Sequence, residues 1–92
     1  MRYSFDASFR RSLSRFDPAQ QVEIKRRIDL FLRALVAQQL PAGFGLTKLH
    51  STLRELRSSL AQRVLFWRTK QEIGFTFVGS HDEVRRFLKH LQ

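Results

Sequence analysis

Apolar residues change their period partway along this chain, and that change decides which folds are open to it. Phe9, Leu13 and Phe16 recur at i, i+4, i+7, and Ile24, Ile28, Phe31 and Leu35 at i, i+4, i+7, i+11, the spacing of helices that bury one face. Beyond Pro41-Ala42-Gly43-Phe44-Gly45 the pattern alternates instead, and residues 53–57, 63–68 and 72–78 read as three strands. Helices with one apolar face need a sheet on which to bury it, so a chain that holds both periods is α+β.

Local signals set the ends of these elements. Residues 2–6 alternate polar with Tyr3 and Phe5 and suit a short strand. Asp17-Pro18-Ala19-Gln20 is a helix start, with an N-cap acid, a proline whose missing N–H costs nothing there, and a glutamine three residues after the cap. Ser80-His81-Asp82-Glu83 is a second capping box, followed by Val84, Phe87, Leu88 and Leu91 at helical spacing. Ser58-Ser59 and Lys70-Gln71 are turn sites, and three strands joined so tightly imply an antiparallel meander. The expected order is β-α-α-β-β-β-α, an antiparallel sheet packed by two N-terminal helices and a short C-terminal one. A chain of 92 residues builds one core, and the Pro/Gly break is too short for a linker, so residues 1–92 are expected to form a single domain.

Charge narrows the partners. Seventeen Lys and Arg stand against eight Asp and Glu, a formal net charge of +9, which favours nucleic acid, anionic lipid or an acidic protein. Hydrophobic content of 42% argues against disorder despite that charge. The absence of cysteine removes disulfides and Cys-based metal sites. His50, His81 and His90 lack metal-ligand spacing, and the chain has neither a Gly-rich phosphate loop nor a G-x-S-x-G elbow, so no metal and no cofactor are expected. No window has the length of a signal peptide's apolar region or a membrane span, and the expected location is the cytoplasm.

After a strand and two helices comes Lys48-Leu49 … Leu53-Arg54-Glu55-Leu56-Arg57 … Gln62-Arg63-Val64-Leu65-Phe66. This run resembles the RelE/ParE toxin superfamily, which carries "KL … x-E-L-R … y-R-v-l-f" at about this spacing. Val78-Gly79-Ser80-His81 is similar to the G-T-H stretch that ends the fourth strand in YafQ-like members. The lysine pair with which ParE-like gyrase inhibitors finish that strand is missing. The resemblance covers nearly the whole chain and implies the toxin of a type II toxin–antitoxin system. It further implies a ribosome-dependent mRNA endonuclease that uses the RNA's own 2′-hydroxyl, silenced by an acidic antitoxin in a complex such as a heterotetramer. A ParE-like gyrase inhibitor and a non-catalytic nucleic-acid-binding domain are the alternatives.

Cleavage through a 2′-hydroxyl needs a base for its proton, cations for the charge growing on phosphorus, and an acid for the leaving oxygen. The resemblance assigns Arg57, Arg63, His81 and His50 to catalysis. Arg57 and Arg63 are forked donors able to bind two phosphate oxygens, with a solvated strand arginine as the alternative. His81 would sit in the first turn of the last helix, where the macrodipole disfavours the imidazolium and free N–H groups suit an anion. Arg57, Arg63 and His81 are all expected to be exposed. Lys48, Arg54, Arg85 and Arg86 are the candidate RNA contacts. Glu55 is read as the partner of a cross-strand arginine in preference to a base, and Phe87 and Trp67 as packing residues in preference to base-stacking ones. Arg10, Arg11, Arg15, Arg26 and Arg27, together with Lys25, concentrate on the two early helices, a solvated face that in the superfamily receives the antitoxin.

Overall fold

The computed structural model describes residues 2–37, 47–48, 53–57 and 62–91. The Pro41 loop, His50 and the Ser58-Ser59 turn lie outside them. In chain order the elements are β1 (Arg2–Phe5), α1 (Ala7–Ser14), α2 (Pro18–Val36), β2 (Thr47–Lys48), β3 (Leu53–Arg57), β4 (Arg63–Arg68), β5 (Glu72–Gly79) and α3 (His81–Lys89). They build a five-stranded sheet ordered β1-β5-β4-β3-β2. β3, β4 and β5 form the expected antiparallel meander. Two features go beyond the expectation: β2 is an additional short strand antiparallel to β3, and β1 joins β5 in parallel, which makes the sheet mixed.

The helices begin where the caps require. Asp17 accepts from the Gln20 N–H at 2.8 Å while the Gln20 side chain accepts from the Asp17 N–H at 3.2 Å, with Pro18 as the first helical residue. Ile24, Ile28, Phe31 and Leu35 are all buried, as their spacing requires, and join Phe9 and Leu13 of α1 over Leu56, Val64, Phe66, Ile73, Phe75 and Val78 of the sheet. Phe31 meets Phe66 at 5.0 Å between ring centroids, within the range in which tilted aromatic pairs add to area burial. Phe16 lies just past α1 and packs partly buried against this cluster.

A bulge decides which side chains face away from that core. Leu65 pairs with Phe77 but Phe66 pairs with Phe75, so Thr76 is an extra residue on β5. The parity of β5 flips there: Phe75 and Val78 both point to the main core, while Phe77 turns to the opposite face and stacks on Phe87 of α3 at 4.4 Å. Trp67 lies on that same face against Gly74, where a Cβ would collide with the indole, so the half-buried packing role expected of Trp67 holds.

β1 pairs only with the first half of β5, and α1 closes the edge of the second half. Ser8 donates its hydroxyl to the Thr76 carbonyl at 2.7 Å, and buried Ser12 accepts from the Val78 N–H at 3.1 Å while donating to the Phe9 carbonyl at 2.9 Å. The Thr76 hydroxyl donates to Asp6 at 3.2 Å. Ser12→Ala would strand the buried Val78 N–H, and the expected loss is about 1–3 kcal/mol, read as a lowered urea midpoint with unchanged slope.

Candidate nucleic-acid interface

Strand register brings three of the candidate positions into one row. Arg57 pairs with Arg63 across the β3–β4 ladder, and Arg63 pairs with Gly79 across β4–β5. Adjacent strands lie about 4.8 Å apart, so Arg57, Arg63 and the end of β5 form a line across the sheet. His81, two residues beyond Gly79, opens α3 at the end of that line. All of this lies on the sheet face opposite the main core. Arg57 and His81 are exposed there, as expected.

Arg63 departs from the expectation of exposure. Its side chain is 15% exposed, and Nη1 donates to Glu55 Oε2 at 3.3 Å, with Glu55 itself only 7% exposed in its side chain. Arg63 sits on a strand flanked on both sides, next to a glycine, with a carboxylate one residue pair away on β3, so its guanidinium folds down rather than out. Its Nε is buried with no hydrogen-bond partner, a cost that ion pairing at the other end of the group only partly offsets. The cross-strand partnership expected of Glu55 is therefore present, and Glu55 is the one buried carboxylate among the described residues.

α3 is held by its cap. Ser80 accepts from the Glu83 N–H at 3.2 Å, and Glu83 Oε1 accepts from the Ser80 N–H at 2.9 Å. The second carboxylate oxygen takes Arg15 Nη2 at 2.9 Å, tying α3 to α1. The backbone hydrogen bond from Ser80 holds the Glu83 carboxyl below its ordinary range, with further lowering from the Ser80 hydroxyl side and from Arg15 and Arg86 and some opposition from burial. A lowered folded-state pKa contributes stability that is present above the unfolded value and lost as pH falls through the folded one. The melting temperatures of wild type and Glu83→Gln should accordingly converge as pH drops through and below the usual carboxylate range, a trend that paired thermal scans would follow.

The remaining candidates do not form one patch. Arg54 is exposed but shares its sheet face with core-facing Leu56, opposite Arg57 and Arg63, and Lys48 pairs with Arg54 in the β2–β3 ladder. Arg85 is exposed one turn from His81 on α3. Arg86 instead turns toward α1, where it lines a groove with Arg11 and Arg15. Arg10 donates to the Phe5 carbonyl at 2.9 Å, and Arg26 pairs with Glu23, whose carboxyl it lowers mainly through that side-chain hydrogen bond. Arg27 is half-buried and donates to the Arg57 carbonyl at 3.2 Å, fastening the end of β3 to α2. The five arginines expected to share a partner-binding face thus separate: Arg11 and Arg15 line the groove, Arg26 and Arg27 lie on α2, and Arg10 is turned to the Phe5 carbonyl. Sequence spacing could not join Arg86 to Arg11, because only the fold brings α3 beside α1.

Among the described residues no cluster of three His, Asp or Glu could hold a metal, and no helix is long and apolar enough to cross a membrane. No family model matches the chain, and no curated protein matches it. Solved structures do. YafQ from E. coli superposes with a TM-score of 0.69 at 13% identity, covering 91% of this chain and 98% of that one. The E. coli DinJ–YafQ complex gives 0.67 at 14% identity over the same shares of both chains. The RelB–RelE antitoxin–toxin complex of Methanococcus jannaschii gives 0.64 at 15% identity, covering 90% of this chain and 95% of that one. The strand motifs, the element order and these superpositions converge: the chain has the RelE/YafQ toxin fold.

Proposed function

We propose that this protein is the toxin of a type II toxin–antitoxin pair, a single-domain cytoplasmic endoribonuclease that cuts mRNA on the ribosome and is silenced by an acidic antitoxin. The observation that carries the reading is the row Arg57–Arg63 running across the sheet to exposed His81 at the start of α3. A scissile phosphate laid over that row meets cationic donors on one side and the N-terminus of a helix on the other, both suited to charge that grows in the transition state. His81, exposed at the start of α3, is the group assigned to take the 2′-hydroxyl proton. Arg57 supplies the exposed guanidinium, and Arg63 a positive charge held beneath the surface by Glu55. Arg85, one turn along α3, extends the cationic surface toward the flanking nucleotides. Lys48 is assigned to the same RNA and His50 to catalysis, whereas Arg54, on the opposite sheet face, is left out of this site. No cofactor is assigned.

The test is to program ribosomes with a defined mRNA, add the purified protein and map new 5′ ends. Ribosome-dependent cleavage at fixed positions is the expected result. Intact message beside inhibited supercoiling by purified gyrase would replace this reading with a gyrase inhibitor, and salt-dependent RNA binding without products would reduce it to a binding domain.

A further inference from the structure

A groove between α1 and α3 lies outside the proposed catalytic row. α1 reaches β5 through Ser8 and Ser12, and α3 reaches it through the Phe77–Phe87 stack. Between the two helices runs an open groove of about 470 Å³, crossed by the Arg15–Glu83 ion pair.

Its chemistry is two-sided. Arg11 and Arg15 stand one turn apart on the α1 rim, and Arg86 and His90 one turn apart on the α3 rim, all of them exposed. The floor is half-buried Phe77 and Phe87. Three arginines thus face one carboxylate, and that carboxylate is already committed to Arg15 and Ser80. Neither Arg11 nor Arg86 makes a salt bridge among the described residues. Positive charge held this close on two sides of an apolar floor is relieved by an occupant with carboxylates along both edges and an apolar side chain between them.

A nucleic-acid strand matches the groove less well. The two Phe rings stack on each other, so they offer a base little free face, and Glu83 would stand against a phosphate chain. We propose that the α1–α3 groove is the docking seat for an acidic amphipathic segment of a protein partner. The proposal rests on the toxin–antitoxin reading and refines it: the seat combines Arg11, Arg15 and Arg86 rather than the flank of α2. Because α3 begins at His81, an occupant of this groove grips the element that carries the candidate base without covering the base itself.

The probe is a synthetic helical peptide built from leucine and glutamate in an amphipathic repeat, added to the intact protein at physiological salt and followed by the ring resonances of Phe87 and by calorimetry. The peptide should move the Phe87 signals, and Arg11→Glu and Arg86→Glu should each weaken binding by at least about tenfold. Arg26→Glu, the same change of charge on α2, should weaken it by less than about threefold. Equal weakening by all three variants would mean attraction by net charge alone and would overturn the proposal, as would unmoved Phe87 signals. A single-stranded RNA that moves the Phe87 signals and displaces the peptide would reassign the groove to nucleic acid. Mapped cleavage on ribosomes is scored separately, so a groove that binds the peptide in a protein that cuts no message refutes the enzyme reading alone, and the converse result refutes the docking seat alone.

Discussion

Glu55→Ala is expected to destabilise the protein by about 3–5 kcal/mol, among the largest effects of any single substitution outside the aromatic core. The reason is the guanidinium it leaves behind. Arg63 is 15% exposed, its Nε already lacks a partner, and Glu55 is the acceptor recorded for its Nη1. Removing the carboxylate strands a buried charge whose desolvation nothing then offsets. The pair itself is a different matter: exchanging both members for apolar residues, as in Glu55→Leu with Arg63→Met, should leave stability unchanged or raise it. Urea titrations of the single and double variants separate the two statements. A loss below about 1 kcal/mol for Glu55→Ala would place the pair with exposed ion pairs.

The second large effect is on activity. His81→Ala and Arg57→Ala should each slow single-turnover cleavage by about 10²–10³-fold, the range for losing a general base or a donor to transition-state charge. Both side chains are exposed and neither appears in a hydrogen bond or ion pair of the described residues, so stability should move by less than about 0.5 kcal/mol. Activity lost without stability lost is the signature of groups that act on the substrate. If cleavage persists within about threefold in His81→Ala, the base lies elsewhere, and His50 becomes the residue to replace. Arg63 cannot be tested as cleanly, because Arg63→Ala leaves Glu55 buried without its arginine.

Much of this molecule is legible along the chain, where short-range chemistry decides. The Asp17 and Ser80 capping boxes place two helix starts, and the Ile24–Leu35 stripe lies buried as its spacing demands. The three long strands begin where the alternation begins, since a half-buried sheet imposes period two. What escapes is set by tertiary geometry. Alternation from Ile73 would put Phe75 and Phe77 on one face, and the Thr76 bulge separates them. Nothing local to residues 2–5 states whether that strand runs parallel or antiparallel to its neighbour. The pattern marks Arg63 as a polar strand residue, but its depth depends on Glu55 and on what flanks β4. In the candidate site, motif resemblance leads to Arg57, Arg63 and His81, whereas the groove formed by Arg11, Arg15 and Arg86 comes into being only when two helices distant in sequence lie side by side.

The parallel pairing of β1 with β5 also bears on the order in which this chain can fold. Arg2 finds its place beside Glu72, and Phe5 beside Phe75, so the first strand has no neighbour until some seventy residues later have been made. The Arg57–Arg63–Gly79 row and α3 belong to the same late stretch. A nascent chain therefore holds its early helices without the sheet they pack on, and the candidate site takes shape only after β5 and α3 have left the exit tunnel.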